Sequence, residues 1–89
     1  MSEIDPIIRQ LREAISDNDR KLVDALNKRL ELVARLKRYK ESHGIGFLDP
    51  EREEWMLNYL QRASRGPVSA EGLREFFTRV LELTKKEVA

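Results

Sequence analysis

An all-α fold of three helices is predicted by two features of the sequence. Apolar side chains recur about every 3.6 residues over residues 6–42, which is the spacing of one face of an α-helix. Proline breaks the pattern at Asp5-Pro6, Asp49-Pro50 and Gly66-Pro67, and proline is favoured in the first turn of a helix but not in its interior. No segment alternates like a strand, and 89 residues suffice for one small domain, expected over residues 1–89.

The first helix is predicted from Pro6 to Ser42, with Asp5 as its N-cap and Gly44 in the turn that ends it. Such a helix is about 55 Å long, which exceeds the width of so small a domain. Its apolar stripe (Ile8, Leu11, Ile15, Leu22, Leu26, Val33 and Leu36) therefore needs cover from a second copy of the chain. We expect a homodimer.

The second helix is predicted from Pro50, capped by Asp49, to the turn at Ser64, and the third follows the N-cap Ser69. Large aromatic side chains are usually buried. The following residues are therefore expected in the core: Trp55, Phe76 and Phe77.

Composition excludes several classes of function. The 17 basic and 16 acidic residues nearly balance, so a nucleic-acid partner is not expected. The chain has no cysteine and one histidine, His43, too few for a disulfide framework or a histidine metal site. No apolar run approaches the roughly 20 residues of a membrane span, and the segment MSEIDPIIRQ lacks the order of a signal peptide. We expect a cytoplasmic protein without a membrane or metal partner.

Two cations interrupt the apolar stripe. Arg29 and Lys40 fall within about 20° of Leu22 around the helix, and an uncompensated cation taken out of water costs several kcal/mol. Each could be a snorkelling side chain or one member of an ion pair between helices. Together they favour a site for an anionic ligand.

Arg12 lies near the edge of the same stripe, about 80° from its centre. It is about 25 Å from Arg29 along one straight helix, so both cannot bind one small ligand within a single chain. In an antiparallel pair of long helices, Arg12 of the partner subunit would approach Arg29. The predicted site is then shared and occurs twice in the dimer.

The segment FLDPEREEWMLNYL adds polar groups at a helix N-terminus. Free backbone N–H groups are expected there, and Arg52 and Glu53 one turn later offer a cation and a hydrogen-bond acceptor. Alone, this segment is equally typical of an ordinary capping turn.

Taken together, these segments resemble the all-α chorismate mutase family of intertwined helical homodimers. The resemblance runs nearly end to end, through LREAISDNDRKLVDALNKRLELVARLKRYKES, FLDPEREEWMLNYL and GLREFFTRVLELT. It implies a Claisen rearrangement of chorismate to prephenate that needs no cofactor. Catalysis would come from orientation and electrostatic stabilisation of the transition state.

The resemblance also implies site residues. Arg12 of one protomer and Arg29 of the other would bind the two carboxylates of chorismate, and Arg52 would add a cationic contact. Lys40 would bridge a carboxylate and the ether oxygen of the breaking bond. Arg12, Arg29 and Lys40 are thus the expected catalytic residues.

Further substrate contacts are implied for Asp49, Glu53 and Thr84. Glu53, with the backbone near Asp49, would hold the ring hydroxyl, and Thr84 would touch a carboxylate. The family usually has Gln or Glu where this chain has Val88, as a second group at the ether oxygen. Glu87 is rotated about 100° from that position and replaces it only if the last turn unwinds. The enzyme is therefore expected to be weak alone or to be completed by a partner.

Three alternatives remain open at this point. The first is an isochorismate-pyruvate lyase, which resembles the family in fold and cations. The second is a weakly active or non-catalytic helical dimer that binds another enzyme of the shikimate pathway. The third is a simple coiled-coil module, which Arg29 and Lys40 disfavour because leucine there would stabilise it more.

Overall fold

A computed structural model describes residues 5–89, which form three helices: α1 (Pro6–Ser42), α2 (Pro50–Ala63) and α3 (Ala70–Glu87). The predicted all-α class is confirmed, and no strand occurs within this range. Two expectations, one domain over residues 1–89 and an N-terminus unlike a signal peptide, also involve residues 1–4, which lie outside the described residues.

Side-chain caps determine where the helices begin. The capping hydrogen bonds run from Ile7 N–H to Asp5 Oδ1 at 2.8 Å, from Arg52 N–H to Asp49 Oδ1 at 3.1 Å and from Gly72 N–H to Ser69 Oγ at 2.9 Å. Each satisfies a first-turn N–H that has no acceptor within its helix. All three predicted caps are confirmed.

A glycine turn ends α1 and directs the following loop. Gly44 has φ +65°, a conformation that residues with a Cβ rarely adopt. The next residue, Ile45, donates its N–H to the carbonyl of Lys40 at 2.8 Å. The loop therefore turns back onto the last turn of α1, as in helix ends capped by a left-handed glycine.

The chain consists of two compact units, residues 5–32 and residues 33–89. The first contains most of α1, and its apolar side chains lack cover: Leu11 and Ile15 are each 60% exposed. No residue of α1 is buried. Within the single chain, the apolar stripe is therefore largely open to solvent.

The second unit has a small core where α2 meets α3. Leu57 and Val80 are 7% and 8% exposed, and Thr84 is 4% exposed. The expectation that Trp55 and Phe76 are core residues is wrong for the single chain, since they are 45% and 53% exposed. One contact between two helices covers only one face of each, and these rings lie outside it; Phe77 is half-buried.

Candidate functional site

A partly open cleft of about 110 Å³ lies within residues 33–89, at the end of α1, the loop after it, the start of α2 and the end of α3. Its apolar wall consists of Val33, Leu36, Phe47, Leu48 and Leu81. Its polar residues are Lys40, Asp49, Arg52, Glu53, Thr84 and Lys85. An apolar wall with a few charged groups is typical of sites for small polar molecules.

Lys40 reaches the cleft from the last turn of α1 and is half-buried. Its ammonium nitrogen lies 3.4 Å from the carbonyl oxygen of Phe47. Among residues 5–89 it forms no ion pair. Because one long contact with a neutral acceptor does not compensate a partly desolvated cation, Lys40 is suited to bind an anion.

Asp49 and Arg52 reach the cleft from the start of α2. The Asp49 carboxylate is occupied as the helix cap, while the guanidinium carbon of Arg52 lies 3.9 Å from the centroid of the Trp55 ring. That distance is typical of a cation–π contact. The aromatic ring thus orients the Arg52 side chain and leaves its N–H groups to bind oxygen atoms.

Glu53 is paired with a residue that the sequence analysis missed. Its Oε1 lies 3.1 Å from the Nζ of Lys85 on α3, and both residues line the cleft. The partners are 32 positions apart, so no local spacing predicts the pair. Lys85 does follow Thr84 directly and lies four residues after Leu81, and this position on the cleft side of α3 was the available signal.

Thr84 lines the cleft but is almost fully buried. Its hydroxyl donates a hydrogen bond of 2.7 Å to the carbonyl oxygen of Val80. This bond follows the i to i−4 pattern of threonine in helices, in which the hydroxyl satisfies itself on the backbone.

Val88 ends α3 and is not among the residues that line the cleft. Its N–H donates to the Thr84 carbonyl at 2.9 Å, and its own carbonyl accepts a bond from Lys37 Nζ at 3.0 Å. The helix continues through Glu87, so its last turn does not unwind. Glu87 therefore does not take the position of Val88.

Arg12 and Arg29 belong to the other unit, residues 5–32. Arg12 is exposed, whereas Arg29 is half-buried, and burial lowers the pKa of Arg29 below its ordinary value because desolvation disfavours the charged form. The guanidinium group still remains protonated in proteins. The predicted residues that meet in one cleft are therefore Lys40, Asp49, Arg52, Glu53 and Thr84.

Two other classes of site find no basis in the described residues. In residues 5–89, no three side chains among His, Cys, Asp and Glu are grouped so that they could hold a metal ion. Over the same range, every helix falls short of the length and apolarity that crossing a bilayer requires.

A family model and known structures match this chain. The model for chorismate mutase type II matches residues 11–88. Two crystal forms of the chorismate mutase from Thermus thermophilus are similar, with TM-scores of 0.84 and 0.86 and identities of 31% and 30%. The first covers 86% of this chain and 96% of that structure, and the second covers 91% and 92%.

Two curated relatives are much longer than this chain. The T-protein of Haemophilus influenzae is 33% identical over 75 residues, which are 83% of this chain and 20% of that protein. The bifunctional chorismate mutase/prephenate dehydratase of Stutzerimonas stutzeri is 27% identical over 86 residues, 91% of this chain and 23% of that protein. The chain spans about a fifth of the length of these relatives.

Proposed function

Because this chain belongs to the chorismate mutase type II family, we propose that it catalyses the rearrangement of chorismate to prephenate. The observation that supports this activity best is the cleft that Lys40 and Arg52 both line. Chorismate has two carboxylates and an ether oxygen, and these cations suit such a ligand because neither has a carboxylate partner among residues 5–89. Residues 1–89 form one domain in this proposal.

The rearrangement needs orientation and charge stabilisation rather than a nucleophile. One C–O bond breaks while one C–C bond forms within a single molecule, so the protein must hold the reactive conformer and stabilise charge at the ether oxygen. Lys40 donates a hydrogen bond to that oxygen and to a carboxylate. The Phe47 carbonyl positions its ammonium group before substrate arrives.

Arg52 binds one carboxylate, and Glu53 accepts a hydrogen bond from the ring hydroxyl. The capped turn at Asp49 places both residues one turn inside α2. Thr84 contributes contact at the wall of the cleft. The two sides of the cleft thus bind different ends of the substrate.

Arg12 and Arg29 act in a homodimer with shared sites. What supports the dimer is the apolar stripe of α1, whose side chains are uncovered in the single chain. An antiparallel pair of such helices would bury the stripe and bring Arg12 of one protomer to the site that contains Arg29 of the other. Burial of that much apolar surface is the usual source of stability in obligate dimers.

Val88 makes this enzyme weak on its own, or dependent on a partner from the shikimate pathway. An apolar residue there cannot donate to the ether oxygen, and loss of one such donor typically costs about 3 to 4 kcal/mol of transition-state stabilisation. The fusion of a relative's chorismate mutase with a prephenate dehydratase supports an association with other pathway enzymes. The proposed location is the cytoplasm, where such enzymes would meet.

The test is the loss of chorismate absorbance with the purified protein, with prephenate and pyruvate quantified as products. Prephenate formation above the uncatalysed rate is expected. Pyruvate from isochorismate, with no prephenate from chorismate, would instead favour the lyase. Binding of chorismate without turnover would overturn the catalytic proposal and favour a non-catalytic binding role.

A further inference from the structure

The charges of the cleft raise a question about its acidic residues. Three cations (Lys40, Arg52 and Lys85) and two carboxylates (Asp49 and Glu53) line it. A carboxylate beside a bound dianion repels it unless the carboxylate is itself compensated, and like charges in contact across an interface cost several kcal/mol. The cleft therefore needs a device that neutralises each carboxylate.

Asp49 is compensated within α2. Its carboxylate accepts the backbone N–H of Arg52 at 3.1 Å and lies at the N-terminus of the helix. The partial positive charge of that terminus stabilises an anion. Asp49 thus needs no side-chain cation.

Glu53 is compensated from α3. Lys85 Nζ, 3.1 Å from its Oε1, is the cation that pairs with it among residues 5–89. Glu53 is half-buried, so its charge is less screened by solvent than that of a surface carboxylate. Loss of Lys85 would leave a carboxylate without a counter-ion in the cleft.

We propose that Lys85 is a positioning residue that holds and neutralises Glu53, so that the ligand meets the charges of Lys40 and Arg52 without an opposing carboxylate. The inference rests on the proposed function, because it takes a dicarboxylate such as chorismate as the ligand. Lys85 acts through Glu53 and not by contact with the substrate. Its effect is on binding more than on the chemical step.

A second ion pair offers a matched control. Arg74 on α3 contacts Glu54 on α2, with its Nη2 at 2.8 Å from both carboxylate oxygens. This pair also joins α2 to α3, but neither residue lines the cleft. Arg74→Met therefore removes the same kind of bridge without changing the charge of the cleft.

The experiment compares KM and kcat for chorismate in Lys85→Met, Lys85→Arg, Arg74→Met, Glu53→Gln and the double variant Glu53→Gln/Lys85→Met. Lys85→Met is expected to raise KM roughly tenfold and to change kcat less, because it leaves Glu53 uncompensated. The double variant is expected within about twofold of Glu53→Gln alone, because no charge remains for Lys85 to neutralise. Lys85→Arg and Arg74→Met are expected to stay close to the parent.

Three results would overturn the inference. A parental KM in Lys85→Met would mean that Glu53 needs no counter-ion. A double variant as weak as Lys85→Met, with Glu53→Gln near the parent, would mean that Lys85 touches the substrate itself. An equal loss in Arg74→Met would mean that any bridge between α2 and α3 has the same effect.

The parent protein separates this test from that of the proposed function. Turnover by the parent together with any of those three results overturns the inference alone. If the parent binds chorismate without converting it, the proposed activity fails and the same ranking is measured as Kd by equilibrium dialysis. If the parent neither binds nor converts chorismate, both are overturned.

Discussion

The ammonium nitrogen of Lys40 lies 3.4 Å from the carbonyl oxygen of Phe47, seven residues further along the chain. The backbone carbonyl of Lys40 in turn accepts the N–H of Ile45 at 2.8 Å. The loop after α1 therefore folds back on the residue proposed to stabilise the transition state. Because the loop uses neutral backbone groups, it orients the ammonium group without cancelling its charge.

Lys40→Ala is predicted to abolish most of the turnover while the protein still folds. Removal of one preorganised donor typically lowers kcat by about a hundredfold or more. The half-buried side chain makes no ion pair within residues 5–89, so its loss should change the thermal midpoint little. Steady-state kinetics and circular dichroism on the purified variant measure both effects.

Lys86→Ala is the control for Lys40→Ala, because Lys86 is an exposed lysine near the end of α3 that does not line the cleft. Its turnover should match that of the parent. Parental turnover in a folded Lys40→Ala would remove Lys40 from the mechanism.

Trp55 is predicted to report ligand binding through its fluorescence. It is the only tryptophan of the chain, and the Arg52 guanidinium carbon lies 3.9 Å from the centroid of its ring. A carboxylate that draws the guanidinium toward the cleft changes the environment of the indole. Emission should therefore change with chorismate concentration in the first moments after mixing, after correction for ligand absorbance.

Arg52→Ala should largely lose this signal, whereas Arg65→Ala, at an exposed loop position, should keep it. A full fluorescence response in Arg52→Ala would show that the indole senses something other than Arg52.

Gly44→Ala is predicted to lower the free energy of unfolding by about 1 kcal/mol. Its φ of +65° is disfavoured for alanine, although no atom lies within 4 Å of the added Cβ. Gly46→Ala is the matched control, because its site is equally open and its φ is not positive. Urea unfolding of both variants at one protein concentration measures the difference, and equal stabilities would refute the argument from φ.

Mixed dimers are predicted to recover activity from two inactive variants. Arg12→Ala and Arg29→Ala each damage both sites of a homodimer, but their heterodimer keeps one site with both arginines. Random exchange should restore roughly a quarter of parental activity, since half of the dimers are mixed and half of their sites are intact.

The control mixes Arg12→Ala with the double variant Arg12→Ala/Arg29→Ala, which can form no intact shared site. Exchange is verified with differently tagged chains. Absence of recovery after verified exchange would argue that Arg12 and Arg29 do not meet across a dimer.

Part of the candidate site could be found without the structure. Lys40 interrupts an apolar stripe, and Arg52 and Glu53 follow a cap at Asp49, so helical spacing and turn chemistry locate all four. The contact of Arg52 with Trp55, three residues later, also follows from helical spacing. Val88 was expected at the site by resemblance, yet it does not line the cleft of the single chain.

Burial was harder to predict than helix position. Size and apolarity suggested a buried Trp55 and Phe76, whereas the core of the single chain is formed around Leu57 and Val80. Which face of a helix is covered depends on the neighbouring helix and its crossing position, and hydrophobicity alone does not specify either.

The sequence by itself determined the three helices and their ends, because capping and helical periodicity involve residues within about four positions of one another. Only the tertiary structure decided that Lys85 on α3 pairs with Glu53 on α2, and that Leu81 and Thr84 on α3 share one cleft with Lys40. These residues are separated by long stretches of chain. Their meeting depends on how the helices pack, and no local interaction specifies it.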